Sequence, residues 1–243
     1  MTNPMTHWAA VVDAERIKLT SLRSPLWATA AAALLSFAVA ALQAAASYSG
    51  LTVTRAVLGV AVFGVPVLVV VAAMTVTGEY RSGLIRTTLM AVPDRAAVLC
   101  AKAVVAAVFS AAAAALMTIG SVVVGRARGT GLWQATGAIA LYAALAAVLG
   151  VAVAALVRHT AGAVTVLLLW PLLVEPLLGN LPGQGAQIGP YLPFANMFRF
   201  LDVSWLFPIY DAPWGRWGSL GYFTAVVVVV FTVAVGTMTR RDA

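Results

Sequence analysis

The side chains that could do chemistry are few in this chain of 243 residues: eight acidic residues, two histidines and one cysteine. A zinc site is not expected, because His7 and His159 lie far apart in the chain and neither has a cysteine nearby. Cys100 has no second cysteine with which to form an internal disulfide. The residues therefore predict no metal site.

The acidic residues disfavour a membrane-embedded enzyme. Such enzymes need paired acidic groups, or an acidic group beside a histidine, for acid–base or metal chemistry. Only Glu175 lies inside a long apolar stretch, and it has no such neighbour in the sequence. The other seven lie outside these stretches or at their ends: Asp13, Glu15, Glu79, Asp94, Asp202, Asp211 and Asp242.

The lysines exclude a P-loop ATPase. Its motif, G-x-x-x-x-G-K-[S/T], places a lysine after a glycine so that the lysine reaches the transferred phosphate. The two lysines, Lys18 and Lys102, follow Ile17 and Ala101. The sequence therefore predicts a chain that is not an enzyme by itself, so that any ATP hydrolysis must come from a separate polypeptide.

The elements that must position these residues are apolar. Hydrophobic residues make up 62% of the chain and charged residues 9%, and the mean hydropathy is +0.97. A soluble domain has roughly 25% charged residues, so the composition excludes a soluble, disordered or coiled-coil protein. The net charge of +7 indicates basic residues gathered on one side of a membrane better than it indicates a nucleic-acid partner.

Long uncharged intervals locate the membrane spans. A spanning helix needs about 20 apolar residues. Five uncharged intervals reach this length, and a sixth, between Arg158 and Glu175, is shorter with 16 residues. The sequence thus predicts an all-α integral membrane protein in which 1–243 form one transmembrane domain. The predicted spans are 25–47, 56–78, 103–125, 132–157, 160–179 and 217–239. The uncharged interval after Glu175 is rich in proline and glycine, so it is not a lipid-facing helix.

Lysines and arginines near the span ends predict the orientation. With both termini in the cytoplasm, ten face inward and five outward, which favours this arrangement in a plasma membrane, such as a bacterial inner membrane. The inward set is Arg16, Lys18, Arg23, Arg81, Arg86, Arg95, Lys102, Arg158, Arg240 and Arg241. The outward set is Arg55, Arg126, Arg128, Arg199 and Arg216.

The segment 7–24 has apolar residues at near-helical spacing: Trp8, Val11, Val12, Leu19 and Leu22. This pattern is typical of an amphipathic helix lying on the inner membrane face. Glu15 interrupts the apolar stripe, so an ordinary positively charged anchor is an equal alternative.

The segment 79–92 predicts a short cytoplasmic helix after the second span. Leu84, Ile85, Leu89 and Val92 can share one helical face, and Pro93 ends the helix. A helix so placed could receive force from a cytosolic partner, and the alternative is a simple connecting loop.

The segment 180–216 is long and aromatic, which predicts short helices dipping into or capping the outer leaflet between spans five and six. Its aromatic residues are Tyr191, Phe194, Phe198, Phe200, Trp205, Phe207, Tyr210 and Trp214. Interfacial anchors with no role in transport are the alternative.

The stretch 79–102 resembles the cytoplasmic loop after the second span in permeases of the type-2 ABC exporter family. The residues that carry the likeness are Glu79, Gly83-Leu84-Ile85, Leu89, Pro93, Arg95 and Lys102. The likeness extends to the whole chain in layout, through the amphipathic N-terminal stretch, the six spans and the long outer segment. Leu84 stands where threonine is commoner in the family.

The resemblance implies one transmembrane half of an ATP-driven exporter of the multidrug kind. Two permease copies, or one copy and a close relative, would pair in membrane lipids and dock two copies of an ATP-binding subunit that holds ATP and Mg. It implies a coupling helix with the residues Glu79, Arg81, Gly83, Leu84, Ile85, Arg86, Thr87 and Leu89, followed by the loop motif Pro93, Arg95 and Lys102. In the family the residue matching Glu79 pairs with basic groups and transmits motion. The arginines could equally contact lipid headgroups.

Small and apolar residues are expected to line a transport pathway, which suits a hydrophobic or amphiphilic drug, peptide or lipid. Candidates are Phe63, Val67 and Met74 in the second span and Leu169, Trp170 and Leu173 in the fifth. Glu175 could line a cavity, but we prefer to interpret it as a helix end in contact with headgroup water. An ion-coupled secondary transporter and a membrane-embedded enzyme remain the alternative functions.

Overall fold

A computed structural model describes residues 4–47, 50–92, 94–203, 207–208 and 210–240, and the regular elements among these residues are helices, with no strand. Six helices are long and apolar enough to cross a membrane, which confirms the predicted all-helical class and indicates a multi-pass membrane protein. Numbered in chain order, spans 1 to 6 are Arg23–Ala46, Val53–Ser82, Arg95–Val124, Leu132–Val157, Thr160–Gly179 and Arg216–Arg240.

The first and last described helices end on the same side of the bundle, here called the terminal face. Glu15 contacts Lys102 near the start of span 3, and Arg95 donates to the carbonyl oxygen of Met238 near the end of span 6. On the opposite face, the loop after span 1 meets the loop after span 3, where the Arg128 amide donates to the Leu51 carbonyl oxygen at 2.8 Å.

Span 3 begins earlier than the charge pattern predicts. The Asp94 carboxylate accepts a hydrogen bond from the Ala97 amide at 3.1 Å, so it caps a helix that starts at Arg95. Arg95 and Lys102 therefore lie within the first two turns of span 3 and not in a loop before it. Sequence reasoning that ends spans at charges misses such turns, because charged residues can continue a helix beyond the apolar layer.

Small residues let spans 2 and 4 approach closely at the centre of the bundle. A Cβ atom on Gly150 would lie 2.8 Å from the carbonyl oxygen of Val69, so only glycine fits there. Spans 2 and 4 are the most buried helices, while spans 1, 5 and 6 expose most of their apolar surface. The core therefore lies around spans 2, 3 and 4.

Spans 2 and 5 each contain one wide turn of π-helix, at Val60–Gly64 and Trp170–Val174. In these turns the amide of Val65 donates to Val60, and that of Glu175 donates to Trp170, five residues earlier. Proline lacks an amide hydrogen, and Pro66, Pro171 and Pro176 stand in or beside these turns, which favours the irregular pattern.

The two longest of the short connecting helices lie on opposite faces of the bundle. Leu84–Ala91 follows span 2 on the terminal face, and Gly83 joins them with a left-handed φ of 74°. Pro193–Leu201 lies between spans 5 and 6 on the opposite face and packs Phe194 against Phe223, with ring centroids 5.3 Å apart. The predicted aromatic residue Trp205 lies outside the described residues.

The N-terminal helix, Pro4–Ser21, packs against the start of span 3. Its buried face consists of Val11, Glu15 and Leu19, while Trp8 is 42% exposed. Leu22 has an extended backbone and separates this helix from span 1. Glu15 lies within this buried face and is only 5% exposed, so it interrupts the apolar stripe as the sequence predicts.

Candidate functional site

Four charged side chains from three helices form one cluster on the terminal face, which we call the charge cluster: Glu15, Lys18, Glu79 and Lys102. All but Lys18 are buried. The Nζ atom of Lys102 donates to Oε2 of Glu15 at 2.6 Å and to Oε1 of Glu79 at 2.7 Å. The Nζ atom of Lys18 donates to Oε1 of the same two residues, at 2.7 Å and 2.8 Å. Each carboxylate therefore receives hydrogen bonds from both lysines.

These four residues meet because of their positions along the three helices. Glu15 and Lys18 are three residues apart on the N-terminal helix, so they share one face of it. Glu79 is in the last turn of span 2, and Lys102 is two turns into span 3. The 84–91 helix returns the chain between these spans, so that the end of one lies beside the start of the next.

Burial makes the charge cluster energetically costly to break. The side chain of Lys102 is 2% exposed, and two formal positive charges balance two negative ones. Taking a charge out of water costs on the order of several kcal/mol unless partners compensate it. The two carboxylates therefore hold Lys102 in place, and removing any member leaves a buried charge without its full set of partners.

Lys18 lies at the wetter edge of the charge cluster, with its side chain 44% exposed. Partial burial acts to lower its pKa, but hydrogen bonds and charge attraction from Glu15 and Glu79 outweigh this, so its pKa is raised. Lys18 also reaches Oγ1 of Thr88 in the 84–91 helix, at 3.5 Å. It thereby connects the charge cluster to that short helix.

A second contact beside Glu79 involves spans 2 and 4. The guanidinium of Arg158, at the end of span 4, lies over the ring of Tyr80 at 5.5 Å from its centroid. Arg158 has a left-handed backbone, φ 55°, which ends span 4 and turns the chain toward span 5. The end of span 2 thus contacts the N-terminal helix and spans 3 and 4.

The 84–91 helix presents a mixed surface. Ile85 is buried against the core, while Leu84 is 55% exposed and Thr87 is exposed. The predicted face shared by Leu84 and Ile85 is therefore wrong, because adjacent residues of this helix point about 100° apart. The side chains of Arg86 and Leu89 lie outside the described part of the structure.

The remaining loop residues take separate positions. Arg81 is exposed at the end of span 2, and Arg95 donates through Nη1 to the Met238 carbonyl oxygen at 3.2 Å. Pro93 lies outside the described residues. Of the predicted loop motif, Lys102 joins Glu79 in the charge cluster, and Arg95 connects span 3 to span 6.

Most candidate pathway residues lie on the bundle surface. Phe63 and Met74 in span 2 are exposed, with Val67 partly buried between them, and Leu169 and Leu173 in span 5 are exposed too. Trp170 is also exposed. Spans 2 and 5 pack side by side, so the chain carries two neighbouring apolar surfaces that its own helices leave uncovered.

Glu175 does not contact water at a helix end, and that preferred interpretation was wrong. It is fully buried, and its Oε1 accepts from the Trp170 indole at 2.9 Å. Its Oε2 accepts from the amides of Phe194 and Ala195, at 2.8 Å and 3.2 Å. The proline-rich π turn hides this arrangement from sequence reasoning, because it rotates Glu175 toward Trp170.

Sequence reasoning missed Glu15 and Lys18 as site residues. The signal was present: an acidic residue stood in the middle of an otherwise apolar stripe, and the chain's two lysines both lay near predicted membrane boundaries. A charge on a buried helix face requires a partner of opposite sign. The partner, Lys102, is distant in sequence, so the pair could be recognised only in the folded chain.

No protein-family model matches the sequence, and no curated protein is significantly similar to it.

Proposed function

We propose that this chain is the permease half of an ATP-driven exporter with the layout of the type-2 ABC family. The observation that carries the proposal is the pairing of Glu79, at the end of span 2, with Lys18 and Lys102. The charge cluster connects the 84–91 helix to the N-terminal helix and span 3, so a push on that short helix would reach all three.

The proposed mechanism is alternating access. Two copies of a separate subunit bind ATP and Mg, close on each other and move the 84–91 helices. Gly83 supplies the bend at which each helix meets span 2, and the charge cluster transmits the displacement to span 3 and the N-terminal helix. The cargo shifts the balance between inward-open and outward-open states only by its difference in affinity for them.

The proposed orientation places the terminal face in the cytoplasm, where ten of the fifteen lysines and arginines would lie. The 84–91 helix then meets the ATP-binding subunit, and Arg81 and Thr87 are exposed for docking. The membrane would be the plasma membrane, or the inner membrane of a bacterium.

The proposed pathway lies where the apolar surfaces of spans 2 and 5 meet a second copy or a close relative of the chain. The exposed residues Phe63, Met74, Leu169 and Leu173 suit a hydrophobic or amphiphilic cargo such as a drug, peptide or lipid. Both spans contain a π turn, an irregularity that occurs often at functional sites.

An ion-coupled secondary transporter is the second candidate, because an ionisable side chain buried inside a span usually serves a function such as ion binding. The burial of Glu175 favours this candidate. Its three hydrogen bonds argue against it, because donors of the chain itself already occupy the two carboxylate oxygens. Cargo export that follows an ion gradient without ATP would favour this candidate.

The decisive experiment purifies the chain alone and together with the P-loop ATPase encoded nearest to it, both in lipid vesicles. We expect no ATP turnover by the chain alone, and ATP-dependent export by the complex. Glu79→Ala should insert normally, retain hydrolysis by the complex and lose export, while Asp13→Asn, an exposed acidic control, should behave as wild type. Turnover by the isolated chain, or unchanged export by Glu79→Ala, would contradict the proposal.

A further inference from the structure

The 193–201 helix receives a remote cap at its start. Leu192 precedes it and has no side-chain hydrogen-bonding group, so the first free amides need an acceptor from elsewhere. Glu175 of span 5 supplies it, with Oε2 at 2.8 Å from the Phe194 nitrogen and 3.2 Å from the Ala195 nitrogen. A span and the short helix are thus joined by one buried carboxylate.

The end of the same helix is held by the opposite charge. Arg216, the first residue of span 6, donates through Nε to the Phe200 carbonyl oxygen at 2.7 Å. Its guanidinium carbon lies 5.2 Å from the centroid of the Phe200 ring. Span 6 and the end of the short helix are therefore joined by a cation that both donates a hydrogen bond and stacks on a ring.

These two charges match the helix dipole, which is positive at its start and negative at its end. The acidic group belongs to span 5 and the basic group to span 6. Each contact would be weakened if its span moved away from the short helix. The charge pattern therefore favours one fixed spacing between the two span ends on the opposite face.

We infer that Glu175 and Arg216 are positioning residues that make the 193–201 helix a rigid strap between spans 5 and 6. On the opposite face the two spans then move as one body. The strap goes beyond the proposed transport function and does not depend on it, because it concerns the chain alone, without cargo or ATPase.

The hydrogen bonds to Glu175 need two acceptor oxygens. Both of its oxygens accept, one from the Trp170 indole and the other from two backbone amides. A glutamine has one oxygen and one donating amino group, so it cannot satisfy both sides. Glu175→Gln is therefore a nearly isosteric change that must lose either the bond from the Trp170 indole or the bonds from the two amides, and it leaves the amides at best a neutral acceptor.

The test measures distances between spin labels in the full chain in lipid nanodiscs. Cys100→Ala removes the native cysteine, and Leu177→Cys with Gly221→Cys places labels on exposed positions of spans 5 and 6. Glu175→Gln and Arg216→Gln are each expected to broaden the distance distribution. Asp202→Asn and Arg199→Gln remove exposed charges of the same signs nearby and should leave it unchanged.

A second label pair controls for general loosening. Trp133→Cys with Gly221→Cys reports on spans 4 and 6, which pack directly, and its distribution should stay narrow in every variant. Hydrogen exchange of the Phe194 and Ala195 amides in Glu175→Gln should be faster by roughly tenfold or more, because each amide loses a charged acceptor.

Unchanged span 5–span 6 distances in both variants would overturn the strap, even if thermal stability fell, because the residues would then only stabilise the fold. Broadening of both label pairs alike would also overturn it. If Glu175→Gln does not fold, Arg216→Gln decides the matter, since Arg216 lies at the exposed end of the strap.

Discussion

Glu15 accepts a hydrogen bond from Lys102 at 2.6 Å across 87 positions of sequence, with both side chains almost fully buried. This pair fixes the N-terminal helix to the start of span 3. It also explains how a helix outside the six spans becomes part of the bundle, because a buried charge is retained only where its partner is fixed.

Lys102→Met should be the most destabilising single change in the charge cluster. It leaves Glu15 and Glu79 without their buried cation, and removing one partner of a buried ion pair costs about 3–5 kcal/mol. The measurement is thermal unfolding of the purified protein in detergent. Arg16→Gln is the control: its pair with Asp13, at 3.7 Å, is exposed, so it should shift stability by no more than about 0.5 kcal/mol. Equal losses of stability in Lys102→Met and Arg16→Gln would contradict the conclusion that Lys102 is buried and Arg16 exposed.

A double-mutant cycle between Glu15 and Lys102 should show that the two residues act as a pair. Glu15→Gln and Lys102→Met are expected to be less costly together than the sum of the separate changes, with a coupling of about 0.5–3 kcal/mol. Unfolding free energies of the four proteins give the value. Additive effects would mean that Lys102 is held by Glu79 alone.

The presence of six long apolar helices could be predicted from the sequence, because a helix that crosses lipid needs a long run with little charge. The charge cluster could not, since it depends on which helix faces meet, and apolar periodicity is weak when nearly every residue of a span is apolar. Glu79 was identified because its loop resembles that of a permease family. Glu15 was interpreted only as an interruption of the apolar helix face. The role of Glu175 was hidden for a different reason, because its two partners in the 193–201 helix are backbone amides that carry no sequence signal.

A comparison of Gly83 with Gly78 measures backbone strain in the proposed coupling region, because a side chain would be free of steric clash at both positions. A Cβ atom would meet nothing within 4 Å at either position, but only Gly83 has a left-handed φ, 74°. Gly83→Ala should therefore cost about 1 kcal/mol through its backbone alone, while Gly78→Ala, in the helix of span 2, should be neutral or stabilising by up to about 1 kcal/mol. Thermal unfolding measures both. Similar effects would mean that the bend at Gly83 is not kept in the folded protein.

Gly150 and Gly137 provide the same kind of comparison within span 4. A Cβ atom on Gly150 would lie 2.8 Å from the Val69 carbonyl oxygen, whereas one on Gly137 would meet nothing within 4 Å. Gly150→Ala should separate spans 2 and 4 and cost about 1–3 kcal/mol, the usual range for overpacking. Gly137→Ala should be neutral or stabilising. Loss of stability in Gly137→Ala alone would show that the close contact lies elsewhere.

Lys18 should keep its contribution to the free energy of unfolding through neutral and mildly alkaline pH. The pKa of Lys18 is raised above its ordinary value of 10.5, because hydrogen bonds and attraction from Glu15 and Glu79 outweigh partial burial. A raised pKa in the folded state means that the stabilisation is complete below pH 10.5 and declines as the pH rises through the folded value. Stability measured against pH should therefore fall above this point more steeply in the wild type than in Lys18→Met. The side chain is 44% exposed, so solvent screening keeps the difference small. Parallel curves for the two proteins would show that Lys18 gains no charge stabilisation from the two carboxylates.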